Sequence, residues 1–101
     1  MVIKREIPTT IEDLKPLIVP ILEKHQIKRA AVFGSFALGK TRKTSDLDLL
    51  VEFSAGKSLF DLLALKIELE ECIGRPVDII TYASIHPLIK ERILSQQIKI
   101  I

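Results

Sequence analysis

Three observations predict an α/β domain, with a small mixed sheet of three or four strands covered by helices mainly on one face. Segments of helical apolar spacing alternate with short runs rich in β-branched residues. Gly, Asp and Pro punctuate the boundaries between them. A chain of 101 residues buries roughly two-thirds of its unfolded surface, enough for one core and not for two. The expected order is α-β-α-β-α-β-α in a single domain spanning residues 1–101.

Each element has its own justification. Thr9 and Glu12 have the spacing of a capping box, and Leu14, Leu17, Ile18, Ile21 and Leu22 then mark one helical face. Pro16 and Pro20 oppose that helix, since an interior proline costs about 3 kcal/mol or more; a start near Leu14 or a kink near Pro20 is expected, with an end near His25. Residues 27–33 read as a strand running into a tight turn at Gly34. Residues 35–38 can form one helical turn before Gly39, followed by a polar loop over 40–45. Residues 46–53 read as a second strand, in which Asp46, Asp48, Leu50 and Glu52 face one way and Leu47, Leu49, Val51 and Phe53 the other.

The longest helix follows Ser58, an N-cap with Asp61 three residues on. It carries Leu62, Leu65, Ile67, Leu69 and Cys72 up to Gly74. A third strand over 75–80 begins with Pro76, where a missing donor is tolerated. A last helix over 84–96 has Pro87 in its first turn. For the apolar tail 98–101, an edge strand, a buried tail and a partner contact stand as alternatives. With so few strands, the second face of the sheet is expected to be free to hold a substrate.

Composition excludes several classes. The chain is 48% hydrophobic and 28% charged, which places it among folded globular domains. No stretch approaches the roughly 18 consecutive apolar residues of a membrane span, and the first residues lack the apolar region of a signal peptide, so the expected location is the cytoplasm. The single cysteine, Cys72, cannot form an internal disulfide and reads as a small apolar helix residue. A net charge of +2 argues against direct nucleic-acid binding. The charge is nevertheless uneven: residues 1–45 carry nine Lys/Arg against four Asp/Glu, and residues 46–101 six against nine. A basic rim for anions beside an acidic floor for cations has this pattern, as does scatter over a solvated surface.

The sign change falls at the most informative motif. Gly34-Ser35 is followed by ten residues and then by Asp46-Leu47-Asp48. A strand ending in Gly before a helical turn offers unpaired backbone N–H groups to an anion, and the Ser35 hydroxyl adds a donor. Alone this is weak, because Gly-Ser turns end many strands. The carboxylates strengthen it. Two aspartates on one face of a strand have Cα atoms about 7 Å apart, within reach of one or two hard cations, and Asp78 supplies a third from a strand expected to lie alongside. Three such acids repel one another unless a cation neutralises them, and Mg²⁺ shared with a phosphate is the economical choice. Singly, Asp46 could cap a turn and Asp78 could simply face water.

Two other motifs fail on context. An EF-hand needs further ligands and a central Gly that the stretch after Asp46 lacks. Residues 34–41 match the string of a Walker A loop, but three strands make too small a sheet and no long helix follows.

Gly34-Ser35, the ten-residue spacing, Asp46-x-Asp48 and the later Asp78 resemble the motif of the polymerase-β-type nucleotidyltransferases, and within them the minimal nucleotidyltransferases of the MNT or MntA antitoxin type. The likeness runs from about residue 11 to 96. The resemblance implies that Gly34 and Ser35 hold the triphosphate of ATP, and that Asp46, Asp48 and Asp78 bind Mg²⁺, two ions in all, to promote attack at the α-phosphorus. It further implies transfer of AMP to a tyrosine of a partner HEPN-domain RNase toxin, which is thereby silenced. A chain this short is expected to leave no room for a second domain that recognises an acceptor, so a partner presenting it agrees with the resemblance. Asp78 is best placed to help deprotonate the incoming hydroxyl, because its strand lies away from the phosphate turn. Family members often carry Arg where this chain has Leu38; Lys40 and Arg42 are candidate nucleotide contacts in its stead, with a solvated loop as the alternative. An antitoxin acting by binding alone, and a stand-alone nucleotidyltransferase acting on a small molecule or RNA, stay open beside this reading.

The remaining polar residues are isolated. His25 and His86 lack ligand spacing and read as helix-end residues. Tyr82 follows the third strand, where a structural role outweighs stacking on a base.

Overall fold

The computed structural model of the chain describes residues 10–34 and 46–101. Helix α1 spans Ile11–Lys24, strand β1 Ile27–Phe33, β2 Leu47–Phe53, helix α2 Leu59–Ile73, β3 Val77–Thr81, helix α3 Pro87–Gln96 and the short β4 Ile98–Lys99. The helical turn and polar loop expected within residues 35–45 lie outside the described residues, as does Thr9.

Local chemistry sets most boundaries. Thr10 is extended, and its hydroxyl accepts a hydrogen bond from the Asp13 amide at 3.1 Å, so Thr10 caps α1. The helix starts three residues earlier than Leu14 and continues through Pro16 and Pro20. Both prolines are exposed, while Leu14, Ile18 and Leu22 on the opposite side are fully buried, so packing outweighs the local penalty. His25 closes α1 as expected, and its Nε2 lies 2.9 Å from the Glu68 carboxylate. At α2 the Ser58 amide donates to Asp61 at 2.7 Å, and Gly74 ends the helix at φ +71. The last helix begins at Pro87 rather than Ser84, after a 3-10 turn over Tyr82–Ser84. His86 is extended, as a residue before proline prefers, and its ring Nδ1 accepts from the Leu88 amide at 3.1 Å.

The strands form one mixed sheet in the order β3-β2-β1-β4. Strand β1 pairs antiparallel with both β2 and β4, and β2 pairs parallel with β3 across the α2 connection. The apolar tail is thus an edge strand: Ile98 and Lys99 oppose Val32 and Ala31, and Ile100 is buried after donating to the Ala30 carbonyl at 2.8 Å. One face, with Ala30, Val32, Leu47, Leu49, Val51 and Val77, packs against α1 and α2 to make the main core.

The other face is not bare. Leu50 and Ala31 are fully buried there beneath Ile85, with Phe33, Ile80, Tyr82, Ile93 and Leu94 packed around them. A leucine on that face demands cover, and α3 with its preceding turn supplies it. Asp48, which is half-buried, lies toward one end of that face. At the opposite end Arg29 lies 4.0 Å above the Tyr82 ring and pairs with Glu52 at 2.9 Å, while the Tyr82 hydroxyl donates to Gln97 at 3.0 Å. Tyr82 is therefore a packing residue. Among the described residues no helix is long and apolar enough to cross a membrane.

Leu49→Ala is expected to cost about 2–5 kcal/mol in urea denaturation, the range for emptying a packed core site. Phe60→Ser, at a position 83% exposed, should change stability by no more than about 0.5 kcal/mol.

Candidate active site

The acids meet where the three long strands lie side by side. The antiparallel register sets Phe33 opposite Asp48, and the parallel register sets Asp78 on the other flank of Asp48. Adjacent strands run about 4.8 Å apart, so Asp48 and Asp78 are lateral neighbours on one face. Asp46 is exposed one residue before β2, where the Leu47 amide donates to the Pro76 carbonyl at 2.9 Å and ties the entrance of β2 to that of β3.

Gly34 joins the turn to the acids. It follows β1 at φ +70, a conformation that L-residues adopt at a penalty. A Cβ at this position would sit on the Asp48 carboxylate, overlapping Oδ2 and lying 3.1 Å from Cγ. Glycine is required twice over here, for the turn and for the space that Asp48 occupies. Ser35, Lys40 and Arg42 lie outside the described residues.

Electrostatics agree with the register. Partial burial pushes the Asp48 carboxyl above its ordinary value of 3.8, and the negative charges of Asp78 and then Asp46 push it further. Both other expected acids therefore act on Asp48. Among the described residues, however, no three His, Cys, Asp or Glu side chains converge tightly enough to hold one ion. The donors themselves suit a hard divalent ion, being carboxylates with no sulfur or imidazole among them.

One feature of the site was not legible in the sequence. The Glu70 carboxylate accepts from the Val77 amide at 2.9 Å, the Lys66 ammonium donates to the Val77 carbonyl at 2.7 Å, and the two side chains pair at 3.3 Å. The Val77 amide, with help from Lys66, holds the Glu70 carboxyl below its usual range. In the sequence these residues read as an ordinary helix pair four apart, and nothing marks them as touching the strand that bears Asp78.

Comparison with known proteins adds independent observations. Residues 17–101 match the family model described as polymerase beta, nucleotidyltransferase. A chain of Methanocaldococcus jannaschii, provisionally named a protein adenylyltransferase, is 54% identical over 91 residues, covering 90% of this chain and 98% of its own. A solved structure provisionally described as a minimal nucleotidyltransferase superposes with a TM-score of 0.76 at 36% identity, covering 87% of this chain and 90% of that one. Two toxin–antitoxin structures share the fold at lower identity. One, with AMP-PNP, has a TM-score of 0.75 at 18% identity over 86% of this chain and 72% of that one. The other, a tri-AMPylated HEPN toxin of Shewanella oneidensis in complex with an MNT antitoxin, has 0.69 at 15% over 89% and 71%.

Gly34→Ala should lose about 1–2 kcal/mol to backbone strain and also displace the Asp48 carboxylate, measured by urea denaturation and by the shift of the Asp48 carboxyl resonance. A carboxyl whose folded pKa lies above its unfolded value weakens the fold as pH rises from the unfolded pKa through the folded one. Asp48→Asn should therefore raise the melting temperature at pH 7 in EDTA. That gain should vanish as pH falls below about 3.8; an equal gain at both pH values would contradict the electrostatic account.

Proposed function

Because the chain belongs to the polymerase-β-type nucleotidyltransferase family, we propose that it transfers AMP from ATP, in the presence of Mg²⁺, to a tyrosine hydroxyl of a HEPN-domain toxin and so serves as a cytoplasmic antitoxin. The observation that carries this reading is the lateral placement of Asp48 beside Asp78, with Asp46 within electrostatic reach and Gly34 pressed against Asp48. The name of the M. jannaschii relative and the AMPylated toxin bound to a structurally similar antitoxin support the choice of acceptor. The structurally similar toxin–antitoxin complex with AMP-PNP supports ATP as donor.

In this reading Gly34 and Ser35 hold the triphosphate through backbone N–H groups and the serine hydroxyl. Lys40 and Arg42 add positive charge at its rim. Asp46, Asp48 and Asp78 are the residues that would hold Mg²⁺, which when bound neutralises phosphate charge and aligns the attacking and leaving oxygens. Asp78 accepts the tyrosine proton as the phenolic oxygen bonds to the α-phosphorus, and the bond to the pyrophosphate oxygen breaks. The charge that develops is spread over phosphate oxygens, so the protein contributes positioning and electrostatics rather than a covalent intermediate. The single domain needs no nucleic acid for this step, because the toxin presents the acceptor.

The test uses ATP labelled at the α-phosphate, the full chain, Mg²⁺ and the HEPN toxin. Label is expected on a toxin tyrosine, and Asp46→Asn and Asp48→Asn should each lower transfer by on the order of 100-fold, the scale for losing one charge-stabilising group. Neutralisation without label would leave binding alone as the function. Label passing to a small molecule or RNA without toxin would replace the acceptor, and full activity in either variant would reject the role of the acids.

A further inference from the structure

Asp78 has an exposed side chain and, among the described residues, no hydrogen-bond partner of its own. Its position therefore depends on the backbone that carries it. That backbone belongs to β3, an outer strand of the sheet. The Pro76 carbonyl turns toward β2 to accept from Leu47, and backbone groups alternate sides along a strand, so the amide and carbonyl of Val77 turn away from β2. At an edge those groups ordinarily face water. Here both are occupied: Glu70 accepts from the amide and Lys66 donates to the carbonyl.

Both side chains come from α2, which the core holds through the fully buried Leu65 and Leu69 and the nearly buried Ile73. They occupy the place that a further strand would fill. The peptide unit adjoining Asp78 is thus fastened on one side to β2 by the sheet ladder and on the other to a packed helix by two side chains that also hold each other.

We infer that Glu70 and Lys66 are positioning residues for Asp78, a backbone clamp that sets the spacing between Asp78 and Asp48. This rests on the proposed role of those acids in holding a divalent cation. A surface ion pair of this kind contributes little by itself, but a group that orients a metal ligand typically changes metal affinity or activity by 10–100-fold when lost. The clamp should act on cation affinity and on turnover, and not on the affinity for ATP, whose grip lies at the opposite flank near Gly34.

The experiment compares the ¹⁵N-labelled full chain with Glu70→Ala, Glu70→Gln and Lys66→Met. In Glu70→Ala, amide exchange at Val77 should accelerate at least about tenfold, while the Leu49 and Val51 amides keep their protection. Half-saturation by Mn²⁺, read from paramagnetic broadening of the Asp48 and Asp78 amides, should rise about tenfold. In the AMP-transfer assay kcat should fall with the KM for ATP unchanged, and Glu70→Gln, which keeps an acceptor for the amide, should recover most of the loss. Lys66→Met should show a smaller effect of the same pattern. Fast Val77 exchange with unaltered Mn²⁺ affinity overturns the inference, as does deprotection of the core amides together with Val77. If the unaltered protein transfers no AMP, the functional reading falls, and the Mn²⁺ and exchange measurements still decide the clamp.

Discussion

Repulsion between carboxylates that the sheet will not let separate is the constraint from which the rest follows. Asp48 and Asp78 are lateral neighbours because β2 and β3 are parallel and in register, and Asp46 enters the same field from the start of β2. The aspartates cannot leave that face without turning Leu47, Leu49 and Val77 out of the core. Burial free energy from the apolar residues of the strands thus holds Asp48 partly buried beside like charges, and that burial first, then the charges of Asp78 and Asp46, raise its proton affinity. Such a site is primed for a partner of opposite sign.

The two halves of the site are mechanically joined. Gly34 marks where β1 ends and the turn begins, and the space a side chain would take there is filled by the Asp48 carboxylate. The end of β1 and the acid on β2 are therefore in direct contact. On the other flank, Pro76, Val77 and the side chains from α2 link the third acid to the helical layer. The sheet supplies register, and α2 adds two side-chain contacts to the backbone beside Asp78.

Much of this was readable in residue order because period-two alternation is a strong signal when a strand carries leucine on one side and acid on the other. Residues 46–53 have that pattern, so the facing of Asp48 away from Leu47 and Leu49 followed from the pleat alone, whereas Asp46 lies one residue before the strand. The caps at Ser58 and Gly74 were equally legible, since each has a specific chemical job. Three features were not. Leu50 shares the acid face, which was expected to be free for a substrate, yet α3 covers it, a long-range event with no local mark. The helix after β3 starts later than its apolar spacing suggests because Pro87 forces His86 to be extended, a constraint that spacing does not weigh. Lys66 and Glu70 have the spacing of a common surface pair, and only the tertiary path of β3 reveals the backbone they hold.

The parallel pairing of β2 with β3 also guards the site against misassembly. A slip of one residue would carry Asp78 into the apolar interior and expel Val77, exchanging every inward side chain of that strand for an outward one. A slip of two would retain the facing but set Pro76 or Ile80 beside Asp48 and dissolve the lateral pair of acids. The facing that sends Val77 into the interior is thus a precondition for Asp48 and Asp78 to stand abreast, so hydrophobic burial excludes every odd slip at the acidic end.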